Sequence, residues 1–293
     1  MKISTTTRYL HTKGFSKAVL LFCSLLSVSS VQVLSQDLYD LEHSRKYAEY
    51  LYSGRQYGLA AEEYERLAFL QPSNTGFRLN LVKSYRLSGN LKSGLARLSQ
   101  FYGNEIDTMP VQFASEYIKM SLLEDSVNLA ETFLERNKTI TGRDRNIYGT
   151  CVYLLKGDYL KASTLITEFP VNDPFYPAEL RSISAHASGM RFKKPFVAGA
   201  LSAVIPGTGK FYTKNWGDGI FAMVFVFGNA WQAYRGFHEH GSKSALGWTF
   251  ASLSASFYIG NVFGSVKAAR RYNKNLTNDV ENKVFDFIHS DSF

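Results

Sequence analysis

Two small residues, Ala60 and Gly94, stand thirty-four positions apart (94 − 60) in matching apolar frames. The same offset carries Ala48 to Val82, Leu51 to Tyr85, Tyr64 to Leu98 and Leu67 to Phe101. A period of about 34 residues accommodates two antiparallel helices and their turns. A small residue at the helix crossing lets the pair approach, and large apolar residues fill the groove of the next unit. One unit cannot bury its own face, so several must stack. The first unit ends at Pro72. A third is degenerate, with helices expected near Val111–Leu122 and Ser126–Arg136. A fourth returns to pattern at Tyr153, Gly157, Ala162, Ile166 and Phe169, before Pro170. The turns Ser53-Gly54-Arg55, Ser88-Gly89-Asn90 and Lys156-Gly157-Asp158 supply inter-helix corners.

On these residues, positions 37 to 170 resemble tetratricopeptide repeats. The resemblance implies an α-solenoid whose concave face binds peptides or partner proteins. Ala60, Gly94 and Ala162 are its packing residues; the motif marks packing, so no ligand residue follows from it. Pro174, Phe175, Tyr176 and Pro177 interrupt the pattern, and a last helix, Ala178–Met190, is expected to cap the array. A domain boundary follows at Arg191, Lys193, Lys194 and Pro195.

The N-terminus reads as an export signal. Lys2, Arg8, Lys13 and Lys17 form a positive region, and an apolar stretch around Ala18–Leu26 follows. Cleavage between Ser35 and Gln36 is expected, with an uncleaved anchor helix as the alternative. Removing residues 1–35 lowers the net charge from +8 to 8 − 4 = +4. A balance so mild, with no Arg-rich stripe or RNA-binding aromatic motif, argues against nucleic acid as a partner. Of the two cysteines, only Cys151 would remain. A single thiol among apolar helical neighbours, with no base beside it, reads as a core residue.

Composition changes near Arg191. Beyond it Gly, Ala, Ser and aromatic residues dominate until Lys267. Ser244–Val266 carries no charge and has the length of a membrane span, with Trp248 near one end and Lys267, Arg270 and Arg271 past the other. Ser252, Ser256, Gly260 and Gly264 recur every four residues, a stripe expected to pack closely on another helix. Gly219–Tyr234 is shorter, bulkier and contains Asn229 and Gln232. Phe196–Ile205 is too short to span and is expected to lie at the interface. It closes in the structural turn of Pro206, Gly207, Gly209 and Tyr212. A buried soluble hairpin is the alternative reading of all three segments.

The run Leu201 to Tyr212, followed by Trp216-Gly217-Asp218-Gly219, resembles a small bacterial membrane domain. That domain follows tetratricopeptide-like repeats in exported proteins of Gram-negative bacteria, notably the Bacteroidetes group. The likeness covers residues 195 to 272 and implies an integral membrane protein of non-enzymatic role. This chain has Thr213-Lys214-Asn215 where Gly-Arg or Gly-Lys is common.

No motif names a reaction. Gly207-Thr208-Gly209-Lys210 imitates the end of a phosphate loop. Val204 stands where the loop needs its first glycine, and Phe211 where it needs Ser or Thr. Lys210 is expected to point to lipid headgroups instead. His238-Glu239-His240 supplies two histidines but no third ligand, and is expected to be a solvated loop. Val280, Val284, Phe285 and Ile288 mark a short amphipathic tail helix, expected to dock on the repeats or the membrane surface.

The expected architecture is therefore all-α. It comprises a signal peptide (1–35), tetratricopeptide-like repeats (36–190), a Gly-rich transmembrane helical hairpin (191–272) and a tail (273–293). The expected role is a scaffold or adaptor for protein–protein interaction, held at the inner membrane of a bacterial envelope with its repeats in the periplasm. Membrane-protein insertion or lipid handling through the hairpin is the alternative. No catalytic, cofactor or metal residue is assigned.

Overall fold

The computed structural model of the protein describes residues 40–168, 170 and 177–290. The expected signal peptide, Phe169 and residues 174–176 lie outside the described residues. Two compact units divide the chain between Tyr47 and Ala48. In the first, the described residues open helix α1 (Leu41–Ser53), where Glu42 pairs with Arg45 at 2.8 Å and Lys46 at 3.3 Å.

The second unit holds the remaining helices, and no strand occurs among the described residues. They are α2 (Tyr57–Leu70), α3 (Thr75–Leu87), α4 (Leu91–Tyr102), α5 (Val111–Leu123), α6 (Val127–Arg136), α7 (Gly142–Leu155), α8 (Tyr159–Thr167) and α9 (Ala178–Ser188). After them come α10 (Pro195–Val204), α11 (Thr208–Tyr212), α12 (Trp216–His240) and α13 (Ala245–His289).

Four corners repeat one hydrogen-bond pattern. At α1/α2, Gln56 N–H donates to Leu51 O and Arg55 N–H to Tyr52 O. The same pair of bonds recurs at Asn90 and Gly89, at Ser126 and Asp125, and at Asp158 and Gly157. These are Schellman closures, in which a left-handed residue ends one helix and frees the next to start. Arg55, Gly89, Asp125 and Gly157 take φ of 58°, 76°, 58° and 75°. At the first corner the left-handed residue is thus Arg55, not the Gly54 beside it. The corner at Asp125 forms without a glycine.

Consecutive helices from α2 to α9 pack on one another, with next-but-one contacts between α3 and α5 and between α7 and α9. Ala60 and Ala162 are fully buried. A Cβ on Gly94 would stand 2.5 Å from Met120 Sδ, so α4 and α5 cross closely there and a larger residue would have to displace the Met120 side chain. Burying these apolar faces contributes about 25 cal/mol per Å² removed from water.

The tail is not a separate helix. Helix α13 runs unbroken for 45 residues, through residue 272. Its last turns bring Val280, Val284, Phe287 and Ile288 into the same core as Ile118, Ile147 and Leu180. Phe287, fully buried, takes the central place expected of Phe285. One rod of about 68 Å therefore begins beside α12 and ends in the core formed by α5, α7 and α9.

No described helix is long and apolar enough to cross a membrane. The expected transmembrane hairpin is corrected on this point. Helices α12 and α13 have the length; their apolarity is diluted by Asn229 and Gln232 in one and by Ser252, Ser254, Ser256 and Asn261 in the other. His238-Glu239-His240 is not a loop either, but the exposed last turn of α12.

Candidate functional site

Helices α10 to α13 form a module with inverted packing. Its interior is small and polar. Ala198, Gly199, Ser202, Gly209, Asn261, Ser265 and Ala269 are buried. Its exterior is large and apolar. Phe196, Phe221, Val224, Trp231, Trp248 and Phe263 are all at least 60 % exposed. A soluble core concentrates its large apolar side chains inside; here the arrangement is reversed.

A relay of polar bonds holds the interior. Gly209 N–H donates to Ser202 Oγ at 2.9 Å, Ser202 and Ser265 hydroxyls stand 2.7 Å apart, and Ser265 Oγ donates to Asn261 O at 2.9 Å. Each hydroxyl has one proton, so Ser202 must donate to Ser265. Tyr258 OH reaches Ala203 O at 2.6 Å, and Ser254 Oγ reaches Val226 O at 2.9 Å.

The turn residues approach their neighbours closely. Gly207 takes φ +93° and leaves no room for a Cβ against the Gly219 backbone; Gly209 lies as tightly on the Ala198 carbonyl. Thr213-Lys214-Asn215 close the turn in regular form. Lys214 adopts φ 61°, and Asn215 N–H closes on Lys210 O at 2.9 Å, repeating the Schellman corner. Tyr212 OH accepts from Lys194 N–H at 3.2 Å, and Lys193 Nζ lies 4.5 Å from the Tyr212 ring centroid. Asn273 completes this junction, accepting from Lys193 N–H and donating to Lys193 O, both at 2.8 Å.

The four-residue stripe does not close on α12. Ser252, Ser256 and Gly260 are exposed, and nothing lies within 4 Å of a Cβ built on Gly260. Close approach occurs elsewhere, between Gly236 and Gly247, where a Cβ on Gly236 would meet the Gly247 amide at 2.8 Å. Phe225 and Phe257 meet across the two helices beside the stripe, with ring centroids 5.2 Å apart.

Two clefts result. One, of about 280 Å³, is walled by Phe221, Phe225, Phe257 and Gly260 and has Asn261 in its lining. The other, of about 350 Å³, is lined by Lys210, Asp218, Gly264, Lys267 and Arg271. Lys210 and Asp218 line both. The sequence marked Lys267 and Arg271 as interfacial anchors. Gly264, Lys267 and Arg271 are spaced i, i+3, i+7, which places them on one helix face, a signal that could have located the cleft. Nothing in the sequence pointed to Asn261.

No family model, curated protein or solved structure matches this chain. Among the described residues, no group of three or more His, Cys, Asp or Glu side chains is placed to hold a metal ion.

Proposed function

We propose that this protein is a membrane-anchored helical-repeat scaffold of a bacterial cell envelope. The inverted packing of α10 to α13 carries the reading. In water, a contiguous exterior built from Phe221, Trp231, Phe263 and their neighbours would be a severe aggregation liability. Against lipid that cost vanishes, and small residues and interhelical hydrogen bonds hold the helices together instead. The anchor works by its apolar surface as a whole rather than by one strongly apolar span.

The four matching corners and the buried Ala60, Gly94 and Ala162 support a tetratricopeptide-like solenoid over residues 36–190. Its open face receives a protein partner. The basic and apolar segments at the N-terminus support export, which sets the repeats in the periplasm and the module at the inner membrane.

Fractionation of cells expressing a C-terminally tagged chain tests this. Retention of the tag after an alkaline carbonate wash, with the repeats digested by protease added to spheroplasts, is expected. Release by the wash would sink the anchor; protection from protease would sink the periplasmic placement.

A further inference from the structure

We propose that the two joined clefts between α11, α12 and α13 form a binding site for one anionic phospholipid. Lys210, Lys267 and Arg271 grip the phosphate, and the aromatic groove takes an acyl chain. This rests on the reading that the module lies in lipid.

Three observations define the occupant. First, charge is unbalanced. Lys210, Lys267 and Arg271 share one cleft, and no ion pair neutralises any of them among the described residues. Lys267 and Arg271 are one helical turn apart, a spacing at which like charges repel. Asp218 lies in the same cleft, but its carboxylate accepts from Asn215 Nδ2 at 2.8 Å, and three cations outweigh one anion. Lys210 Nζ has only a long bond to Asp218 O, at 3.4 Å.

Second, Asn261 is 4 % exposed, and neither its Nδ2 nor its Oδ1 has a hydrogen-bond partner. A buried amide left unpaired is costly and calls for a partner. It lines the groove just past Lys210, where an ester carbonyl or glycerol hydroxyl would satisfy it.

Third, the polarity is ordered along the helix. From Lys267 to Phe257 is about 15 Å of α13, half of the roughly 30 Å hydrocarbon core of a bilayer. Cations stand at one end, the amide lies between, and Phe221, Phe225 and Phe257 continue inward. A free phosphate would use the first part and leave the rest empty; a neutral lipid would leave the cations uncompensated.

The test uses the full chain purified in detergent, titrated with phosphatidylglycerol or phosphatidylcholine and followed by native mass spectrometry, beside flotation with neutral vesicles. One phosphatidylglycerol should be retained per chain, about tenfold more tightly than phosphatidylcholine, the difference one charge-assisted contact supplies. The Lys210→Gln, Arg271→Gln double variant should lose that preference and still float with neutral vesicles. Asn261→Leu should weaken retention of both lipids and keep the preference. Equal retention of the two lipids, or a preference unchanged in the double variant, overturns the site and leaves the anchor standing. Displacement of phosphatidylglycerol by equimolar glycerol phosphate overturns the chain-binding half. A chain that floats with no vesicle overturns the anchor and the site with it.

Discussion

Ser202 Oγ and Ser265 Oγ meet at 2.7 Å in the middle of the C-terminal module, each fully buried and sixty-three residues apart in sequence. Ser202 accepts from the Gly209 amide, so its own proton goes to Ser265. The pair joins α10, α11 and α13 through a single directed line of bonds. Replacing Ser265 by alanine strands the Ser202 hydroxyl and should cost about 1–3 kcal/mol. The two single variants should not add: a cycle of Ser202→Ala, Ser265→Ala and the double, read by thermal unfolding in detergent, should give a coupling above about 0.5 kcal/mol. A coupling of zero would mean that the hydroxyls do not interact.

Arg86 and Glu116 form a second buried pair, within the repeats. Arg86 Nε donates to Glu116 Oε2 at 2.6 Å and Nη2 to Oε1 at 3.4 Å, both side chains almost wholly out of water. Arg86→Met leaves a carboxylate buried without its countercharge and should destabilise the chain by about 3–5 kcal/mol. Adding Glu116→Leu should recover most of that loss. Urea unfolding of the three variants reads the difference. If the double variant is no more stable than the single, the charge is not what the arginine offsets.

Two glycines of the module should respond to alanine with opposite sign. Gly209 is buried against Ala198 O and Ser202 Oγ, and a methyl there must push α11 away from α10. Gly228, in the middle of α12, has nothing within 4 Å of a Cβ. Gly209→Ala should lower the unfolding temperature and expose the junction at Lys193–Lys194 to protease. Gly228→Ala should stabilise by about 0.5–1 kcal/mol, through the smaller backbone entropy it must lose. Equal effects would contradict the packing described for the turn.

Cys151 lies wholly buried in α7, and burial pushes its thiol up to about 12, with Lys119 pulling weakly the other way. The folded state therefore holds the thiol proton more tightly than the unfolded chain does. That contribution is fully present below the unfolded value, about 8.5, and is lost as pH rises towards 12. Burial raises Tyr148 in the same direction. Stability should fall steadily above about pH 9. With Cys23 replaced by serine, the native chain should resist iodoacetamide at pH 8.5 and react on denaturation. Rapid labelling of the native chain would show that Cys151 is accessible.

The helices of the N-terminal half were legible in the sequence because their signal is local and recurrent. The thirty-four-residue offset, the small residues Ala60, Gly94 and Ala162, and the glycine corners at Gly89 and Gly157 all report on nearest-neighbour packing. Where the signal failed, as at Asp125, the backbone bonds kept the corner without the glycine. The C-terminal half was legible in composition but not in arrangement. An apolar segment states that it avoids water; it does not state which of its faces meets another helix. The stripe from Ser252 to Gly264 had the right period and yet lines an open groove.

Local sequence sets the helical character of the described residues, the thirty-four-residue spacing of Ala60 and Gly94, the Pro206-Gly207-Thr208-Gly209 run and the change of composition near Arg191. Each of these follows from residues close in the chain. The tertiary structure decided the rest. It made α13 one rod with its end in the core of α5, α7 and α9, turned the large apolar side chains of the module outward, and brought Lys210, Asn261, Lys267 and Arg271 to two clefts that share Lys210 and Asp218. Those depend on which helix faces meet, and that is settled by packing between distant segments.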